Sequence, residues 1–297
     1  MKTDFLNTVG EKGLRSLLTT LYNLLIMGRP ADGAIIGGTV VLGMIAGTLA
    51  LPAFEHMIMG FFGGVLLLAS MDTFNDYRDL EIDKISKPWR PLPQGLVEPR
   101  TALLAAIIEA IVALTIGIVG GFQVVLVGIS VVILAVLYSR WLKSLFIAKN
   151  IIVALSLSLA SMAGYVAVAR NFSLAFLWLE VLIFWSALVF EIHKDLGDVE
   201  GDLNHGVQTL PTRLGILTTV NLLSIGYSLA WILATSFLLF MKWDLVYLVI
   251  LLVTGLVLAI AVILLFKDTQ NNVEKTRQLT TAVMGLVLVG LGRLFIL

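Results

Sequence analysis

Nine stretches of this chain are long and almost wholly apolar, and they decide what it can fold into. They run roughly over residues 30–51, 57–75, 100–120, 122–140, 148–168, 174–194, 217–240, 245–266 and 280–296. Crossing a bilayer takes about 20 apolar residues. Hydrocarbon offers nothing to satisfy a peptide group, so a spanning segment is a helix or a strand of a closed barrel. These segments are too long and too continuously apolar for barrel strands. The chain is 59% hydrophobic and 13% charged, with a mean hydropathy of +0.98, against about 25% charged residues in a soluble domain. A soluble core would not hide that much apolar surface. The fold class expected is an all-α polytopic membrane protein with nine transmembrane helices.

Charge placement sets the topology. With nine spans and a cytoplasmic N-terminus, one side holds the N-terminal segment and the connections near 76–99, 140–149, 194–216 and 267–279. Those regions and the adjoining helix ends carry 17 of the 20 Lys and Arg residues, leaving Arg170, Lys242 and Arg293 opposite. That is the positive-inside bias, and adding or losing a middle span would break it. Residues 1–29 read as a cytoplasmic or interfacial segment, with 14–27 an amphipathic lead-in, and 30–297 as a single nine-helix domain. The N-terminal residues carry charges at Asp4, Glu11, Lys12 and Arg15 and no small-residue cleavage site, so no cleavable signal peptide is expected. The cell membrane is the expected location. Short connections favour an antiparallel ring or bundle. Zero cysteines remove thiolate nucleophiles and Cys-ligated metal centres. A net charge of zero gives no case for nucleic acid, and nothing identifies a protein partner.

Polar chemistry gathers just after the second span, in "MDTFNDYRDLEIDKISKPWRPLPQG". Asn75, Asp79 and Asp83 are spaced four apart, so on a helix they form one stripe, with Asp72 and Asp76 on the same broad face. Carboxylates this dense repel one another unless a cation compensates them. Oxygen-only ligands suit a hard cation, magnesium above all. A second run, "VFEIHKDLGDVEGDLNHGVQTLPTRLG", follows the sixth span. Glu191, Asp195, Asp198 and Asp202 share one arc if the helix continues. Both runs follow even-numbered spans and so lie on one membrane face. Asp79/Asp83 and Asp198/Asp202 repeat one D-x-x-x-D spacing 119 residues apart.

Two facing acidic stripes suit magnesium ions that leave coordination sites open to phosphate oxygens. Lys84, Lys87, Arg90, Lys143 and Lys194 are placed to neutralise the remaining phosphate charge, and Arg78, beside Asp79, is a further phosphate ligand candidate. The combination suits a phosphorylated head at the surface and an apolar body in a helix-lined cavity. An isoprenyl diphosphate fits: magnesium and bases stabilise the departing diphosphate, and a dry apolar cavity protects the allylic cation. Neither a P-loop nor an EF-hand spacing is present.

The pairs "NDYRDLEID"/"KPWRPLPQG" and "KDLGDVEGD"/"GVQTLP" resemble the two aspartate-rich signatures of the UbiA superfamily of intramembrane prenyltransferases. The resemblance covers nearly the whole chain and implies nine helices around a central cavity. It assigns diphosphate binding through magnesium to Asn75, Asp79 and Asp83 and to Asp198 and Asp202, with Asp195 alongside. "YSRWLKSLFIAKN" is also similar, implying Tyr138 and Lys143 at the cavity entrance and Asn150 at the start of the next span. The second motif is most similar to archaeal-type digeranylgeranylglyceryl phosphate synthases. That implies geranylgeranyl diphosphate and geranylgeranylglyceryl phosphate as substrates, with aromatic quinone precursors or a chlorin as alternative acceptors. Asp32 departs from the Asn of many relatives, and Arg29, itself a candidate diphosphate ligand, is close enough in sequence to pair with it.

Other polar residues have plainer readings. His193 is a metal ligand, a proton relay or a hydrogen-bonded helix-end residue; His205 reads as solvated; His56 lies on the far face, away from chemistry. Glu109 and Glu180 fall inside spans, where comparable acids cost about 2.5–3.5 kcal/mol on insertion scales. Glu109 reads as a cavity or interhelical group and Glu180 as nearer an interface. A cation transporter is the rival class, but transport sites sit near the midplane, whereas both acidic runs sit at one face.

Overall fold

The structure, a computed structural model, describes residues 2–142, 146–169, 171–204 and 206–297, with side chains from Leu14 onward. Its helices in chain order are α1 (Lys2–Met27), α2 (Pro30–Thr48), α3 (Phe54–Arg78), α4 (Leu80–Ser86), α5 (Pro99–Val119), α6 (Phe122–Leu137) and α7 (Ala148–Val168). They continue with α8 (Leu174–Gly197), α9 (Val199–Asn204), α10 (Leu210–Leu214), α11 (Ile216–Ser236), α12 (Leu245–Lys267) and α13 (Thr269–Ile296). Five residues of π-helix, Tyr138–Leu142, extend α6. Among the described residues nine helices are long and apolar enough to cross a membrane: α2, α3, α5, extended α6, α7, α8, α11, α12 and α13. The described residues contain no strand.

Local signals account for the helix starts. Pro30 and Pro99 open α2 and α5, where a missing N–H costs nothing and φ is already set. Ser173 accepts from the Phe176 N–H at 3.1 Å and caps α8; Asp244 does the same for Tyr247 of α12 at 2.8 Å. Two expectations need adjustment. The span placed at 280–296 begins earlier, so the connection placed at 267–279 shrinks to Asp268, which caps α13 through the Asn271 N–H at 3.2 Å. Residues 14–27 are the second half of α1, which packs on α3. It buries Asn23 and Met27 and leaves Leu14, Leu17, Leu21 and Leu25 exposed.

The spans divide into a hollow half and a filled half. Helices α2, α3, α5, α6 and α7 close a ring, each packed on the next and α7 back on α2; α8, α11, α12 and α13 pack against it through α2 and α7. The filled half holds Leu42, Tyr165, Phe176, Phe237, Tyr247 and Leu291 in one core. The ring instead encloses a cavity with about 1120 Å³ of space not filled by atoms, part of it open, walled by Val40, Leu67, Met71, Ala113, Val131 and Ala163 among others. Helices in lipid gain no hydrophobic free energy by meeting, so close approach through small residues does much of the work. At the α2–α7 crossing Gly43 lies against the Ser161 backbone and Gly164 against the Val40 carbonyl, with no room for a Cβ at either.

Candidate active site

Both acidic runs lie at the same end of the bundle, and each straddles the end of a transmembrane helix. Helix α3 ends at Arg78, with Asp79 (φ −89°, ψ 3°) leading into α4; α8 ends at Gly197, with Asp198 (φ −103°, ψ 7°) leading into α9. The sequence echo is therefore a structural one: matched aspartates occupy the same kind of break. The first break barely disturbs the helical register, because the Asp83 N–H still reaches the Asp79 carbonyl at 2.8 Å. The second tightens for one residue: the Asp198 N–H turns to the Asp195 carbonyl at 3.3 Å before the Asp202 N–H reaches the Asp198 carbonyl at 2.9 Å, and Asp195 is buried while Asp198 is exposed.

Basic side chains separate the carboxylates. Arg29 stands at the start of α2 with φ 46°, a left-handed conformation costing about 1–2 kcal/mol for a residue with a Cβ. Its guanidinium contacts Asp72 and lies 3.0 Å from Asp76, so the partner is α3 and not Asp32. Arg90 donates to Asp76 at 2.8 Å and to Asp83 at 2.6 Å. Asp76, Asp79 and Asp83 are all buried. The Asn75 amide donates to Asp79 at 3.0 Å, and Ser139, carried in by the π-helical extension of α6, donates to the Asn75 oxygen at 3.3 Å. Lys87 crosses to the second set, 3.4 Å from Asp198. There Lys149 and Asn150 donate to the two oxygens of Asp195 at 2.7 and 2.9 Å. Half-buried Tyr138 lies within electrostatic reach of Asp79 from one set and of Glu191, Asp195 and Asp202 from the other.

Not every expected residue joins this group. Lys84 and Lys194 face outward in local pairs with Glu81 (2.7 Å) and Glu191 (2.8 Å), because an acid three residues back on the same helix is nearer than the site. Arg78 is exposed at the end of α3. Lys143, His205 and Arg170 lie outside the described residues. His193 is fully buried, with Nδ1 2.5 Å from the Tyr227 hydroxyl and Nε2 3.1 Å from Thr276. Both ring nitrogens are thus engaged in holding α8 to α11 and α13, which leaves neither for a metal. Glu180 is partly buried on α8 and bonded to Ser161 of α7. The Glu109 Oε2 is buried on α5 with no hydrogen-bond partner among the described residues. His56 lines the far end of the cavity. Sequence reading passed over Lys149 and Ser139; the signal available for Lys149 was its place beside Asn150 at the inner start of a span.

The fit to a divalent cation is testable on the donors present. Among the described residues no three acidic or histidine side chains converge as a ready-made cage, since Arg29, Arg90, Lys87 and Lys149 are interleaved with them. One oxygen is nevertheless unprovided for: the buried Asp202 Oδ2 has no hydrogen-bond partner there. Burial pushes the Asp202 carboxyl up to about 6, against the pull of Lys149 and a hydrogen bond with Thr209, while Asp195 and Asp198 add to the rise. Asp198 stands nearby, its side chain 49% exposed. An all-oxygen donor set with excess negative charge fits magnesium.

Nine spanning helices, a hollow ring and paired aspartate motifs at its mouth place the chain among membrane-embedded prenyltransferases. Residues 36–287 match the UbiA prenyltransferase family, and the chain belongs to it. A digeranylgeranylglyceryl phosphate synthase of Thermococcus gammatolerans is 36% identical over 187 residues, covering 63% of this chain and 67% of that protein. The synthase of Korarchaeum cryptofilum is 32% identical over 230 residues, 76% of this chain and 81% of its own. Among solved structures, a UbiA homologue from Archaeoglobus fulgidus bound to GPP and magnesium superposes with a TM-score of 0.70 at 19% identity, over 92% of this chain and 99% of that one. At that identity the likeness is one of fold.

Proposed function

We propose that the protein transfers a polyprenyl group, geranylgeranyl in the first instance, from its diphosphate to geranylgeranylglyceryl phosphate, with magnesium required. The carrying observation is the Lys87–Asp198 contact at 3.4 Å, which brings the two aspartate motifs to one mouth above one apolar cavity. The digeranylgeranylglyceryl phosphate synthases among the relatives favour the lipid acceptor over an aromatic or chlorin ring.

In this reading Asn75, Asp79 and Asp83 on one side and Asp198 and Asp202 on the other hold magnesium, which when bound neutralises the diphosphate and stabilises it as a leaving group. Lys87 and Arg90 bind diphosphate oxygens, with Tyr138 closing the mouth between the motifs. Arg29 and Asp76 orient Arg90. Asp195 is a positioning residue, tied to Lys149 and Asn150. In the reaction the allylic C1–O bond breaks and its electron pair leaves with the diphosphate. The acceptor oxygen then bonds to C1 and its proton passes to the departing diphosphate. The apolar ring walls keep water from the allylic cation. The mouth faces the cytoplasm of a cell-membrane protein, in keeping with the Lys and Arg bias.

An acceptor panel tests this. Purified protein is given geranylgeranyl diphosphate, magnesium and, in turn, geranylgeranylglyceryl phosphate, a hydroxybenzoate, a naphthoate and a chlorin. Diphosphate release is expected with the glyceryl phosphate lipid and to stop when magnesium is chelated. Release with an aromatic acceptor alone would reassign the acceptor while leaving the class intact.

A further inference from the structure

The cavity has a direction and a length, and both are readable along α3. Its wall runs from Met71, one turn below Asn75, to His56, whose ring is exposed at the opposite end of the helix. Those residues are fifteen positions apart, or about 22 Å at the helical rise. An extended prenyl chain advances about 4.7 Å per four-bond isoprene unit at ordinary bond lengths, so four units need about 19 Å and five about 24 Å. Beyond His56 an apolar chain leaves the apolar wall and gains nothing by continuing.

A small residue stands at the level where the fourth unit must pass. The backbone of Ser161 lies against Gly43 of α2, and the next residue along, Met44, packs on Gly60 of α3. Ala163, two positions past Ser161 and part of the cavity wall, is therefore at about the height of Gly60. Gly60 lies eleven residues from Met71, about 17 Å. Three isoprene units end short of that height and the fourth crosses it. Ala160, one turn nearer the mouth on the same wall, stands at about the end of the third unit.

The geometry points to Ala163 as the residue that sets prenyl chain length, by leaving open the passage for a fourth isoprene unit that a larger side chain would close. This assignment rests on the prenyl-transfer reading above. Direct contact between wall and tail is what makes the difference, since one methylene more or less in an apolar pocket changes selectivity by about 10–200-fold.

The test is the ratio of kcat/KM for geranylgeranyl diphosphate to that for geranyl diphosphate, measured with one acceptor in Ala163→Phe, Ala163→Leu and the parent. The ratio is expected to fall at least about tenfold in Ala163→Phe, with Ala163→Leu intermediate and Ala160→Phe acting already against the three-unit substrate. An unchanged ratio, or an equal loss on both chain lengths in the Phe and the smaller Leu variants alike, overturns it. A parent without prenyl transfer to any acceptor would instead overturn the functional reading, so the two failures are told apart.

Discussion

The buried carboxylates at the mouth are each answered by a named partner, with one exception. Asp76 has two guanidinium groups, Asp83 shares Arg90, and Asp195 holds Lys149 and Asn150; the Asp202 Oδ2 stands without one among the described residues. A buried carboxylate oxygen lacking a hydrogen bond destabilises the folded state, and binding a cation there removes the penalty. Asp202→Asn is therefore expected to raise the thermal midpoint of the metal-free protein by a few degrees, about what 1 kcal/mol gives at this size. It should also abolish the further rise that magnesium gives the parent. A midpoint lowered by the substitution, or a magnesium response that survives it, would show that Asp202 is satisfied by other means. This exception was not legible in the sequence. Spacing picks out which carboxylates share a neighbourhood, but Asp195 and Asp202 look equivalent in a linear motif. Only the position of Lys149 and Asn150 on another helix, which engage both oxygens of Asp195, distinguishes them.

Among the elements, the helices were legible almost residue by residue because lipid leaves a spanning segment one backbone solution. Their contacts were not. Small-residue patches recur through α2, α3 and α7, and a pattern such as "GMIAG" does not say which neighbour it meets. The structure gives Gly43 and Gly164 to the α2–α7 crossing, where an added Cβ would meet backbone. At Gly117 it would meet only the Val124 and Val125 side chains, at 3.5 and 3.9 Å, ordinary contacts. Gly164→Ala is expected to cost about 1–3 kcal/mol as overpacking, seen as a lower thermal midpoint and an earlier loss of monodisperse protein. Gly117→Ala should be nearly neutral. Equal behaviour of the two would mean that the crossing is looser than drawn. The too-late start expected for α13 has a related cause: Thr269–Thr281 is polar and so failed the hydropathy reading, yet capping by Asp268 and the Glu274–Arg277 pair at 2.8 Å carry the helix outward.

At the scale of the whole molecule, the lopsided basic residues predict that the mouth, at the end of the bundle where α2 begins, faces the cytoplasm. With no native cysteine, this is readily measured. Single Gln94→Cys and Trp243→Cys variants expose a thiol at opposite ends of the bundle. In intact cells an impermeant maleimide is expected to label the second and spare the first, and the reverse would invert the orientation. The division into a hollow ring and a filled half was beyond the sequence, since both are equally apolar and only the packing of Tyr165, Phe176 and Phe237 against α13 fills one of them.

The account depends on two aspartate sets, contributed by α3–α4 and by α8–α9, acting on a single diphosphate. Diphosphate release at saturating magnesium, measured for Asp79→Asn, Asp198→Asn and the double variant, tests that most directly. Residues that act as one unit are strongly non-additive. Each single variant is expected to lose at least about a hundredfold, and the double variant to be little worse than the poorer single. Parent-like turnover in either single variant, or losses that simply multiply, would contradict a shared site.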